Sequence, residues 1–183
     1  MTLAEWGQLP DDVRGELIDG ALVEEEMASN AHELVVFWLA ARLYPWARKR
    51  GGFAFGSNHK LGLSPRVGRK PDLAVYVGAG APLDPHASMS TRAPTIAIEV
   101  ITPRPRDTKR DRVEKPDEYA RFGVRWYWLV DPTMRTIEVL ELGARKRYAR
   151  AASASDGKLR PPGCPGLVLD LDDLWRDVEA LER

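Results

Sequence analysis

Arg69-Lys-Pro-Asp72-Leu-Ala-Val-Tyr-Val77 and, after a Gly/Pro/Ser-rich interruption, Pro94-Thr-Ile-Ala-Ile-Glu99-Val-Ile101 decide how this chain reads. Both are apolar, β-branched runs of strand length bounded by turn residues, the pattern of central strands. Each carries one acid, Asp72 at the mouth of the first run and Glu99 near the end of the second. An ionised carboxylate on a buried strand costs several kcal/mol unless it is paired or holds a cation. If the strands are neighbours, the two acids can converge on one divalent metal, with the Val100 carbonyl as a third oxygen. The structural alternative has Asp72 capping a turn after Pro71 and Glu99 pairing with an arginine.

Composition sets the frame around this pair. The chain has 183 residues, 44% hydrophobic and 30% charged, enough for one domain spanning 1–183 with a real core. Its formal net charge is zero, so the molecule is no polycation and any nucleic-acid affinity needs a local basic patch. A single cysteine, Cys164, excludes an internal disulfide, and no Cys/His cluster has zinc spacing. No apolar run spans a membrane and no signal-peptide pattern opens the chain, so a cytoplasmic setting is expected.

Upstream, residues 1–13 read as a short amphipathic helix or turn. Glu16-Leu-Ile-Asp19-Gly20-Ala-Leu-Val is a hairpin, because Asp-Gly tolerates the positive φ that a tight primed turn requires. Asn30-Ala-His32-Glu33 has the form of a helix cap followed by an acid. The predicted helix runs over 31–49, with Leu34, Phe37, Trp38, Ala41 and Leu43 inward, Pro45 kinking it or ending its regular part, and Gly51-Gly52 stopping it. His32 in its first turn can reach an anionic ligand, although a histidine at a helix start also serves as a structural hydrogen-bonder. Phe53 to Leu63 reads as one strand with a bulge at Gly56.

Downstream of Glu99 comes a basic, proline-stiffened exit containing Arg104 and Arg106, then a charged segment with Lys109, Arg110 and Arg112. These cations could hold a phosphate backbone. Asp111, Lys115 and Tyr119 are four apart and share one helix face. Pro116 means that this helix is kinked or begins there. Trp126 to Pro132 is a further strand, Thr136 to Leu142 alternates as an exposed edge strand does, and a C-terminal helix closes the chain. The fold class is α/β, an α+β mixed sheet with helices packed on it, an N-terminal hairpin and a C-terminal meander.

In that order, Glu16-Leu17-Ile18-Asp19-Gly20, His32, Pro71-Asp72, Glu99-Val100, Asp111 with Lys115 and Tyr119, Gly123-Val124 and Tyr127-Trp128-Leu129-Val130-Asp131-Pro132 resemble the Uma-type restriction endonuclease family. That family lies within the PD-(D/E)XK, restriction-endonuclease-like superfamily. The resemblance covers roughly residues 14–140 and implies a metal-dependent endonuclease acting on DNA, with Mg²⁺ or Mn²⁺ on Asp72 and Glu99 and with Glu16 as a further ligand in the same cleft. It also implies a departure. The superfamily lysine would fall at Ile101, and Lys115 would stand in for it, with Lys109 second in line. As neither ligand nor core, Lys115 should be removable without loss of stability. A nuclease fold without activity, kept for binding DNA or a partner, and a metal-dependent hydrolase of another phosphoester are the alternatives. Cleavage of both strands of a duplex leads to the expectation of a homodimer.

Overall fold

The Asp19-Gly20 turn follows directly from its residues. Both have positive φ, 51° and 83°, and they join β1 (Glu16–Ile18) to β2 (Ala21–Val23) with Ile18 opposite Ala21. The computed structural model describes residues 1–10, 13–24, 27–78, 83–102 and 109–181. A short helix, α1 (Leu3–Gly7), precedes the hairpin and is closed by a reciprocal Thr2/Glu5 capping box. α1 seats Trp6 so close to Gly68 that a Cβ there would overlap the indole ring.

α2 (Asn30–Arg48) starts one residue earlier than its sequence pattern suggests, with Ser29 as the cap: its Oγ accepts the His32 N–H at 3.2 Å. The helix runs through Pro45 to Arg48. Its buried stripe is Val35, Trp38, Leu39, Leu43 and Trp46, whereas Phe37, expected inward, is 77% exposed, and Ala41 is exposed too. The stripe follows the face that meets the sheet, and Phe37 lies off it.

The segment expected as one bulged strand is two. β3 (Phe53–Phe55) joins one sheet, and after a turn β4 (Leu61–Ser64) joins another, pairing with β5 (Val67–Arg69). β6 (Leu73–Tyr76) and β7 (Ile96–Val100) follow, every residue buried. A five-residue π-helical turn, Arg110–Glu114, leads into α3 (Lys115–Phe122), which ends at Gly123 with φ 103°. β8 (Trp126–Asp131), β9 (Thr136–Leu142), β10 (Tyr148–Ala154), β11 (Lys158–Leu159), β12 (Leu169–Asp170) and α4 (Leu171–Ala180) complete the chain.

Among the described residues the strands form a six-stranded sheet of order β10-β9-β8-β7-β6-β3, a four-stranded sheet β2-β1-β5-β4 and the pair β11-β12. The large sheet is mixed. β7 and β8 run parallel and its other neighbours antiparallel, as expected of an α/β domain with one helical crossover. β9 is therefore interior, and β10 rather than β9 is the edge. Alternation along β7 divides the core. Ile96, Ile98 and Val100 pack with α2 and α4, while Ala97 and Ile101 pack with Tyr119, Tyr127 and Leu129 on the α3 side. All six tryptophans are buried, so none offers a stacking platform for bases.

Candidate active site

Glu99 shares the row of Ala97 and Ile101, and so faces α3. The β6–β7 register, with Leu73 opposite Ile98, brings Asp72 alongside it. Asp72 Oδ2 accepts the Val100 N–H at 2.7 Å, which pins the acid across the strand ends. The two acids thus meet as neighbours at one end of the sheet. The structural alternative does not hold: Asp72 accepts from Val100, 28 residues on, and caps no turn after Pro71, and the partners of Glu99 are a lysine and a tyrosine, not an arginine.

Lys115 Nζ lies 2.8 Å from Glu99 Oε2, 3.0 Å from Asp111 Oδ1 and 3.8 Å from Glu16 Oε1. The Tyr119 hydroxyl donates to Glu99 Oε1 at 2.8 Å. This geometry depends on Pro116. A proline has no N–H for the helical ladder, and its ring would strike the carbonyl four residues earlier. The preceding turn is wound wider instead, with the Lys115 N–H reaching the Arg110 carbonyl, and α3 begins at the lysine. Asp111 and Lys115 consequently face one another. Ile101, in the superfamily's lysine position, is 3% exposed and filled in among Ala97, Tyr119 and Tyr127.

Burial draws the Lys115 pKa down, but Asp111, Glu16 and Glu99 outweigh it and hold the ammonium well above the ordinary lysine value. Burial raises the Glu99 carboxyl well above its usual range; Lys115 opposes this, and Asp111, Asp72 and Glu16 add to it. Asp111 is raised for the same reasons, burial first. The cluster thus holds more negative charge than its single lysine neutralises, and it takes up a proton or a cation readily.

Glu16 belongs to the same cluster but stands behind the cleft wall. It is fully buried and does not line the cleft. Its Oε2 accepts from Arg69 at 2.7 Å and its Oε1 from the Lys70 N–H at 3.0 Å. With both oxygens engaged, it forms a wall behind Lys115, 3.8 Å from the ammonium that Glu99 also holds. Burial pushes its pKa up, but Lys115 and Arg69 outweigh that and the net shift is downward, so it stays ionised. Arg69 completes this wall by gripping Glu118 through Nε at 2.6 Å and Nη2 at 2.9 Å.

His32 reaches the site from α2, its Nε2 3.2 Å from Asp72 Oδ2. Burial lowers its pKa, yet the hydrogen bond and charge of Asp72 more than reverse this, so the ring holds a proton more tightly than a free imidazole does. Its Nδ1 is buried without a hydrogen-bond partner among the described residues. His32, Asp72, Glu99, Val100, Asp111 and Lys115 all line one open cleft of about 570 Å³. Arg14, Lys70 and Arg110 add cations, and Ser57, Asn58 and Thr102 add neutral polar groups.

The expected backbone-binding cations divide. Arg110 lines the cleft, 4.0 Å from Glu16. Arg112 turns away to Glu138 at 2.6 Å and Asp131 at 3.4 Å. Lys109 is exposed beside Glu114, outside the cleft, so of Lys115 and Lys109 only Lys115 stands beside the acids. Arg104 and Arg106 lie outside the described residues. Asp111 as a further acid beside Glu99, the Arg69 clamp, Arg14, Lys70 and the Ser57-Asn58 tip were not anticipated. The four-residue spacing of Asp111 and Lys115 held the first of these, and an arginine next to the Pro-Asp strand held the second.

Hard carboxylate oxygens on Asp72 and Glu99, adjacent and open to one cleft, fit Mg²⁺ or Mn²⁺. Among the described residues no group of three or more His, Cys, Asp or Glu side chains is arranged to hold a metal ion. No helix among the described residues is long and apolar enough to cross a membrane.

No curated protein matches the chain in sequence. In fold it is similar to a protein from Anabaena variabilis ATCC 29413 whose structure is titled as that of a "putative nuclease belonging to DUF820", with a TM-score of 0.78 over 97% of this chain and 99% of that one, at 20% identity. The Uma2 family model, described as "Putative restriction endonuclease", matches residues 3–172, and on that match the chain belongs to the Uma2 family.

Proposed function

We propose that this protein is a divalent-metal-dependent endonuclease that hydrolyses DNA phosphodiester bonds in the cleft bounded by Asp72, Glu99 and Lys115. One observation carries the reading: two acids from neighbouring strands and a buried ammonium converge on the floor of a single polar cleft. A fold built for stability alone gains nothing from gathering mutually repelling acids there.

Asp72 and Glu99 would hold Mg²⁺ or Mn²⁺, with the Val100 carbonyl beside them. The ion, when bound, supplies the charge neutralisation and water activation that attack on an anionic phosphodiester needs. Lys115 keeps a permanent positive charge at the floor, where it can steady negative charge on the scissile group. Asp111 and Glu16 hold that ammonium in place, and the Arg69 clamp fixes Glu16. His32 orients Asp72. Arg14, Lys70 and Arg110 offer phosphate contacts along the cleft. A two-fold homodimer belongs to the same proposal, because it would present two clefts to antiparallel strands.

Purified protein incubated with plasmid DNA and Mn²⁺ or Mg²⁺, beside an EDTA control and Asp72→Asn, tests the reading. Nicking or linearisation that needs both the metal and Asp72 is expected. Tight DNA binding without cleavage under either metal would replace it with the reading of a binding module. Light scattering that gives a monomer mass at micromolar concentration would remove the dimer.

A further inference from the structure

The turn between β3 and β4 stands at the edge of this cleft. β3 pairs with β6 so that Phe55 lies opposite Ala74. Continued by two residues, that register sets Ser57 level with Asp72, one strand spacing of about 4.8 Å away. The chain leaves the ladder there in a tight turn closed by the His59 N–H on the Gly56 carbonyl at 3.0 Å. Ser57 and Asn58 at its tip are exposed and line the cleft, and neither side chain hydrogen-bonds to a described residue.

The tip is free, but its base is fixed. The His59 ring stacks on Phe55 with centroids 4.4 Å apart, and its Nε2 is 2.9 Å from the Tyr76 hydroxyl. That hydroxyl in turn reaches Ser90 Oγ at 3.4 Å and the Arg92 carbonyl at 3.3 Å. Arg92 lies over the Tyr76 ring at 5.3 Å. Burial keeps His59 uncharged at neutral pH, which preserves the stack. Two unengaged polar side chains on a rigid aromatic mount, beside the paired acids, serve substrate contact better than folding. They also differ from the other cleft walls. Arg14, Lys70 and Arg110 can grip any phosphate, whereas a carboxamide presents a donor and an acceptor together, the pattern that distinguishes base edges.

We propose that the Gly56–His59 turn contacts the nucleotide flanking the scissile phosphodiester, with the Asn58 carboxamide on its base edge and the Ser57 hydroxyl on its phosphate. This rests on the reading of the cleft as a nuclease site. The test compares wild type, Ser57→Ala, Asn58→Ala and the shape-preserving Asn58→Asp. Cleavage with Mn²⁺ is measured on a DNA library randomised around the cut, and binding of labelled oligonucleotide is measured in EDTA. If wild type cleaves, the Asn58 variants are expected to flatten the flanking-nucleotide preference or raise KM at least fivefold, with melting temperature unchanged. Unaltered preference and KM would overturn the inference while leaving the nuclease reading intact. If wild type does not cleave, the nuclease reading falls. A fivefold loss of oligonucleotide affinity in the variants would still support the contact, and equal or absent binding would overturn it.

Discussion

Replacing Lys115 by methionine keeps most of the side-chain volume and deletes the charge that three carboxylates surround. Nζ stands 2.8 Å from Glu99, 3.0 Å from Asp111 and 3.8 Å from Glu16, on a side chain only 7% exposed. At an effective dielectric near 20, each contact attracts by roughly 4–6 kcal/mol. Stripping water from both partners offsets most of this. A single substitution reveals mainly the cost of leaving buried carboxylates without their cation, about 3–5 kcal/mol. In a chain of 183 residues that lowers the melting temperature by roughly 6–20 °C. Lys115→Met combined with Glu99→Gln should regain part of the loss, because one uncompensated acid goes with the lysine. Thermal melts in EDTA at neutral pH on wild type, both single variants and the double variant give the coupling. Cleavage by Lys115→Met at saturating DNA should fall by about 10²-fold or more, on the order of 3 kcal/mol. A Lys115→Met protein that melts within about 2 °C of wild type, with no coupling to Glu99, would refute the assignment of Lys115 as the buried counter-charge. The tertiary structure reverses the simpler expectation that this lysine can be removed without loss of stability.

Asp72→Ala should abolish the Mn²⁺ binding seen by calorimetry for wild type; equal heats from the two proteins would take the metal off Asp72. His59 is held neutral by burial, with its pKa lowered from 6.5 to about 4. The unfolded chain therefore takes up the proton first, and stability is full above about pH 6.5 and lost as pH falls towards 4, by on the order of 2 kcal/mol after allowance for the ring's partial exposure. Urea titrations across that range should lose this slope in His59→Phe, and an unchanged slope would assign it to other groups. Gly163 has φ 75°, and a Cβ there would overlap the Trp126 indole. Gly163→Ala should cost at least about 2 kcal/mol in denaturant unfolding, and a cost within about 0.5 kcal/mol would show that the indole moves aside freely.

Local physics put much of the fold within reach of the sequence alone. The Asp19-Gly20 turn, the long helix ahead of Gly51, the two acid-bearing strands and the helix stop at Gly123 depend on φ preferences, propensity and hydrophobic period, all of which act between near neighbours. The pairing of Asp72 with Glu99 was legible for the same reason, since an unpartnered acid in an apolar strand is anomalous wherever it occurs. Other features depended on which surfaces meet. Phe53 to Leu63 carries nothing in its own residues to say that its halves belong to different sheets, and Thr136 to Leu142 alternates identically whether or not β10 covers it. Glu16 shows the distinction most clearly. Its hairpin can be read directly, but its carboxylate became a buried wall behind Lys115 because Arg69, 53 residues away in the chain, arrived at 2.7 Å. Only tertiary structure decides which distant cation reaches a buried acid first, because desolvation makes that charge act over a few ångströms and sequence separation says nothing about such distances.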